Sequence, residues 1–189
     1  MNQLVHNFAI WLDSHQLSTA LHESYYMYNW VETTHVLTLM LSLGMLFLID
    51  LRMLGYALPG VPASKLADRL NVPMLIGFGI MVITGVLLVY AIPVRSSQSI
   101  WLRLKLVLLI AAAVNAFLFH RRLNESVSSW DFEARAPKRL RVGAALSISF
   151  WVSIVISGRL IAYDWFDCSH NPQAFIGTLA GCLADQTVF

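Results

Sequence analysis

The sequence predicts an all-α integral membrane protein: a four-transmembrane up-down helix bundle with an N-terminal interfacial helix and a short tail helix on the outer side. Three observations carry this prediction. Of 189 residues, 57% are hydrophobic and only 13% are charged, about half the charged share of soluble domains, and the mean hydropathy is +0.62. Four stretches reach the about 20 apolar residues a helix needs to cross a bilayer core. The basic residues gather on alternate links between them. In lipid the backbone must satisfy its own polar groups, so runs this long and apolar read as helices, and short links make them antiparallel neighbours.

Residues 1–29 form an outer amphipathic segment. Leu4, Phe8, Trp11, Leu12, Leu17 and Leu21 recur at helical spacing, while Asp13, His15 and Glu23 make the segment too polar to span. Such helices lie in the membrane interface. Residues 1–24 contain no Lys or Arg, so no secretory signal is predicted and the first span acts as its own insertion signal. Tyr25, Tyr26, Tyr28 and Trp30 supply an aromatic belt.

The bundle itself is residues 30–163, with spans at about 30–51, 73–92, 100–119 and 142–163. Asn71-Val72-Pro73 opens the second span, Ile92-Pro93 closes it, and Ser96-Ser97-Gln98-Ser99 precedes the third. Residues 64–70 and 124–135 read as short surface helices. Residues 164–189 form an outer tail, with an amphipathic helix over 174–183. The link after span one holds Arg52, Lys65 and Arg69; the link after span three holds Arg121, Arg122, Arg135, Lys138, Arg139 and Arg141. The positive-inside rule places these links in the cytoplasm. The reading is therefore a multi-pass protein of a bacterial inner membrane, in contact with the lipid bilayer and with both termini periplasmic. On that oxidising side a Cys168–Cys182 disulfide is expected. It would close a loop of about 15 residues and contribute about 3 kcal/mol in the chain-entropy picture.

Ionisable residues inside spans are costly and point to function. Alternating span direction places Glu32, His35, Arg103, Lys105 and Arg159 near the outer surface, and Asp50, Arg52 and His120 near the inner one. His35 and His120 lie on the order of 25 Å apart at 1.5 Å rise per residue, so they cannot share one haem iron. His35, Thr38 and Ser42 make a polar stripe on span one. For a metal, His35 and Glu32 could be joined by His22, His170 and Asp167, because Glu32-x-x-His35 and Asp167-x-x-His170 repeat one carboxylate–histidine spacing, the arrangement of di-iron bundles. His6 and His15 are further outer histidines; for His120, Met53 or Met74 could complete a His/Met pair. Arg159 and Lys105 could clamp a carboxylate such as a haem propionate, or Arg159 could pair with Glu32. Asp50 and Arg52 are expected to pair, and the serines 149, 153 and 157 to serve helix packing. There is no nucleotide motif, nucleophile triad or CxxC. The basic residues do not interleave with aromatics as nucleic-acid binding requires.

Several stretches together resemble an uncharacterised family of small bacterial four-span membrane proteins: LHESYYMYNWVETTHVLTLMLSLGMLFLIDLRMLG, LIGFGIMVITGVLL, RLKLVLLIAAAVNAFLFH and ISGRLIAY. The specific pieces are Glu32-x-x-His35, Asp50-Leu51-Arg52 with Gly55, Lys105, Asn115 and Gly158-Arg159; His22 and the cysteine tail stand outside the pattern. The resemblance brings no established activity. A looser likeness is to the copper-resistance D-type proteins and small b-type haem bundles, an analogy of architecture.

Three readings follow. The first is a redox-associated protein binding b-type haem or another metal near the outer face through His35, Glu32, Arg159 and Lys105, with His120 as a second cofactor-facing residue. The second is a non-catalytic accessory or assembly subunit of a larger membrane complex, or a homo-oligomer. The third is a small quinone- or proton-linked transporter. On none of them does the sequence single out a catalytic residue.

Overall fold

The computed structural model describes residues 2–126, 130–131, 133, 135–163, 168 and 174–182. Among these, eight α-helices follow one another: α1 (Asn2–Asp13), α2 (Gln16–Glu23), α3 (Met27–Leu54), α4 (Ala63–Ala91), α5 (Pro93–Ser97), α6 (Ile100–Ser126), α7 (Lys138–Ala162) and α8 (Ala174–Ala180). Four of them, α3, α4, α6 and α7, are long and apolar enough to cross a membrane.

The long helices outrun the apolar stretches that predicted them. Helix α4 starts at Ala63, so the expected surface helix at 64–70 and the second span are one continuous helix through Pro73. Proline removes a single N–H from the ladder, the one that would reach the Arg69 carbonyl, and the residues on either side keep the helix going. Helix α6 runs on to Ser126, so the start of the expected helix over 124–135 is the end of α6, and among the described residues Trp130, Asp131, Glu133 and Arg135 lie outside any helix. The N-terminal segment is two helices. Ser14 donates its hydroxyl to the Trp11 carbonyl at 2.7 Å and His15 Nδ1 donates to the same oxygen at 2.8 Å, a local competition for the backbone that ends α1. Helix α3 stops at Gly55, whose φ of 83° lets the Tyr56 N–H reach back to the Leu51 carbonyl at 2.9 Å, the left-handed cap a glycine adopts without strain.

The chain divides into two compact units. One comprises Val36–Met81 and Leu108–Ser153. Its core joins Ile49 and Met53 of α3, Ala63 of α4, Leu123 of α6, Trp130 and Ala136 from the α6–α7 connection, and Leu140 and Ala144 at the start of α7. Phe78 stacks on Trp151 at 4.9 Å between ring centroids, tying α4 to α7. Gly77 lets α4 approach Ser42 of α3 so closely that a Cβ there would overlap the serine hydroxyl. Asn115 of α6 donates its amide to the Gly143 carbonyl of α7 at 3.0 Å.

The other unit comprises Met1–His35, Val82–Val107 and Ile154–Phe189. Here α1 packs on α5, and the Gln98 amide donates to His6 Nδ1 at 3.2 Å. Ser18, buried on α2, donates to the Tyr90 carbonyl at 2.8 Å. Cys168 and Cys182 form the expected disulfide. Arg103 of α6 donates to the Leu179 carbonyl at the end of α8, 2.8 Å away, a cation at a helix C-terminus where the dipole favours it.

Candidate functional site

The first turns of α3 carry Tyr28, Glu32 and His35 at i, i+4 and i+7, and so on one face. His35 is half-buried. Its Nδ1 is 2.9 Å from Oγ1 of Thr84 on α4, a buried hydroxyl. The next residue is Gly85, and a Cβ there would stand 3.3 Å from Cε1 of His35. The Thr84-Gly85 pair thus does two things to the imidazole. The hydroxyl fixes one ring nitrogen, and the missing side chain lets the ring lie against α4. A histidine oriented through Nδ1 presents Nε2 in a defined direction, the arrangement second-shell partners impose on ligating histidines.

The neighbours expected for this histidine take other partners. Arg159 donates to the Tyr163 hydroxyl at 2.9 Å and lies 5.0 Å over the same ring, a cation–π contact one turn along α7. That contact takes the place of the expected Glu32–Arg159 pair. Glu32 is exposed; Tyr28, one turn before it, is within reach of the Glu32 and Arg95 charges. His22 meets Tyr28 edge-on, with ring centroids 6.5 Å apart. His6 and His15 are engaged with Gln98 and Trp11. Lys105 of α6 is half-buried, its Nζ set against Gly158 of α7. Among the described residues no three His, Cys, Asp or Glu side chains converge as a metal site. His170 and Asp167 lie outside the described residues.

In the other unit, Asp50 and Arg52 are both buried, but they do not face each other. Two residues apart on a helix they point to opposite sides. Asp50 takes the Ser147 hydroxyl. Arg52 is fully buried and reaches the connections: Nε donates to the Val61 carbonyl at 2.7 Å, and Nη2 to those of Glu133 at 3.0 Å and Asp131 at 3.4 Å. The Asp131 carboxylate in turn accepts the Ser64 N–H at 2.8 Å and the Ser64 hydroxyl at 2.6 Å, capping the first turn of α4 from another segment. Burial pushes the Asp131 carboxyl up, but the bonds from Ser64 and from the Ala63 N–H, with the Arg52 charge, outweigh it and hold the group below the usual carboxylate range. His120 is exposed. Met53 is fully buried in the core and Met74 packs against it, so both thioethers serve packing. Ser149 and Ser153 return their hydroxyls to carbonyls one turn back on α7, at 2.9 and 2.8 Å, the local back-bonding of helical serines.

Sequence reasoning missed Thr84, Gly85, Tyr28 and Asp131 as site or latch residues. The signal for the first two was a threonine–glycine pair inside an otherwise apolar span, at a depth matching His35.

No curated protein and no solved structure matches the chain. A family model matches residues 19–164, from within α2 to the end of α7. The chain belongs to the DUF6644 family, a family of unknown function.

Proposed function

We propose that the protein is a four-span integral membrane protein of a bacterial cytoplasmic membrane, with both termini on the outer side. In this reading it is redox-associated and His35 is the ligand of b-type haem or another metal near the outer face. The observation that carries the reading is the Thr84–His35 hydrogen bond. An imidazole inside an apolar helix, held at Nδ1 by a buried hydroxyl and given room by Gly85, has the oriented geometry of a ligand. When Nδ1 donates to Thr84, Nε2 carries the lone pair a metal needs. Lys105, in the same unit, supplies a cation for a propionate. Bound haem would supply one-electron chemistry; the chain's part is to hold and orient it.

The test is an absorption spectrum of protein purified in mild detergent, as isolated and after dithionite, with elemental analysis alongside. A Soret band and a reduced α-band in the b-type region, both lost in His35→Ala, are the expected result. A featureless visible spectrum with no stoichiometric metal rejects the cofactor.

A second reading is favoured by a separate observation. Asp50, Arg52 and Asn115 each bond to another part of their own unit, as packing groups do, and the long helices expose many large apolar side chains. This is the pattern of an accessory subunit within a larger membrane assembly. Native electrophoresis of mild-detergent extracts tests it: co-migration with partner subunits supports the reading, and a lone monomer opposes it.

A further inference from the structure

Two of the residues that marked the sequence as distinctive, Lys105 and Gly158, meet in the structure. Lys105 lies near the start of α6, within an apolar helix, and its ammonium rests in the notch left by Gly158 on α7. A Cβ at that position would stand 3.3 Å from Nζ. Among the described residues no acceptor and no carboxylate meets this ammonium. The neighbouring cations are held by neutral groups, Arg103 by the Leu179 and Ser97 carbonyls and Arg159 by Tyr163. A half-buried ammonium in an apolar helix is stabilised by an anion that offsets its desolvation, and an ionisable residue inside a span faces a partner. Around it α6 and α7 expose Leu104, Leu106, Val155 and Ile156.

We infer that Lys105, in the notch at Gly158, binds the oxyanion of an amphiphile. The anion is a phosphate or carboxylate group, and the body it is carried on is apolar enough to lie along the exposed aliphatic side chains. Gly158 shapes the seat: a methyl group there would stand 3.3 Å from Nζ and press the ammonium outward. The inference rests on the membrane placement proposed above and gives Lys105 an amphiphile's oxyanion in place of a haem propionate, leaving His35 as the proposed ligand.

The experiment is native mass spectrometry and thermal unfolding of the full chain in detergent, titrated separately with phosphatidylglycerol, phosphatidylcholine and a long-chain fatty acid. The wild-type chain is expected to retain an anionic amphiphile in preference to phosphatidylcholine. Lys105→Met should weaken that retention about fivefold, the contribution of one basic residue near a membrane surface, and Gly158→Ala should weaken it by less. Selective retention of phosphatidylglycerol supports the inference with a lipid phosphate as the source, and selective retention of the fatty acid supports it with a carboxylate. Equal retention of all three by the wild type overturns it, whether or not Lys105→Met folds. Unchanged selectivity in a folded Lys105→Met also overturns it. Failure of the membrane placement would show separately, as protein recovered from the soluble fraction without detergent.

Discussion

Removing the Arg52 guanidinium should cost the protein a large share of its stability. Arg52 has no exposed surface. It donates to the Val61 and Glu133 carbonyls at 2.7 and 3.0 Å, more weakly to that of Asp131 at 3.4 Å, and its charge acts on the Asp131 carboxylate. Two well-formed bonds from a charged donor are worth about 1.5–3 kcal/mol each. Breaking a buried charged partnership costs about 3–5 kcal/mol, so the two routes agree on about 3–5 kcal/mol for Arg52→Ala. Against a typical total of about 5–15 kcal/mol, that is enough to depopulate the fold near its working temperature. Arg52→Lys should recover part of the loss, because a compact ammonium cannot span both connections as the planar guanidinium does. The assay is loss of helical circular dichroism with increasing SDS fraction in mixed micelles, for the two variants, Asp131→Asn and the double variant Arg52→Ala/Asp131→Asn. A loss below about 1 kcal/mol for Arg52→Ala, or strict additivity with Asp131→Asn, would refute the claim that one network holds the connections.

Three further outcomes are expected. Thr84→Val removes the hydroxyl that orients His35, and cofactor occupancy should fall about 10–100-fold, read as Soret absorbance per mole of protein; unchanged occupancy would separate Thr84 from the site. Reduction of the Cys168–Cys182 bridge, whose cysteines are 14 residues apart, should lower stability by about 3 kcal/mol, measured as the shift in the unfolding midpoint with and without dithiothreitol and absent in a Cys168→Ser/Cys182→Ser variant. Asp131 has a folded pKa below that of the unfolded carboxyl, at about 3.9, so its contribution is complete above that pH and is lost as pH falls through the folded value. Unfolding midpoints at pH 6 and pH 3 should therefore differ less in Asp131→Asn than in the wild type; an equal difference would remove Asp131 as a source of the acid sensitivity.

The four long helices were legible because nothing but a buried or lipid-facing helix accommodates runs such as the one from Val31 to Leu51. Their ends were less so. Pro73 reads as a boundary, yet one missing N–H does not stop a helix whose other residues keep their bonds, so α4 begins at Ala63. The disulfide followed from the side of the membrane on which two nearby cysteines were placed, and the pair is bonded. His35 stood out by its cost; Thr84 did not, because a lone threonine in a span is unremarkable until its depth is compared with the histidine's. Glu32 and Arg159 carry opposite charges at similar depth, which suggests a pair, but Tyr163 is one turn from Arg159 on the same helix and needs no second helix to be in register. Asp50 and Arg52 failed as a pair for the opposite reason: nearness in sequence is not nearness on a helix. Asp131 lay in a stretch whose composition suggested helix, and its capping of α4 from far along the chain carries no local mark.

The family match covers residues 19–164, and what lies beyond it on either side converges. Asn2 at the head of α1 donates to the Thr178 carbonyl of α8 at 3.4 Å, α1 rests on α5, and the disulfide closes over the segment that carries α8. Two pieces outside the matched span thus hold each other, one of them fastened covalently. Deleting either piece should therefore strip the other of its footing.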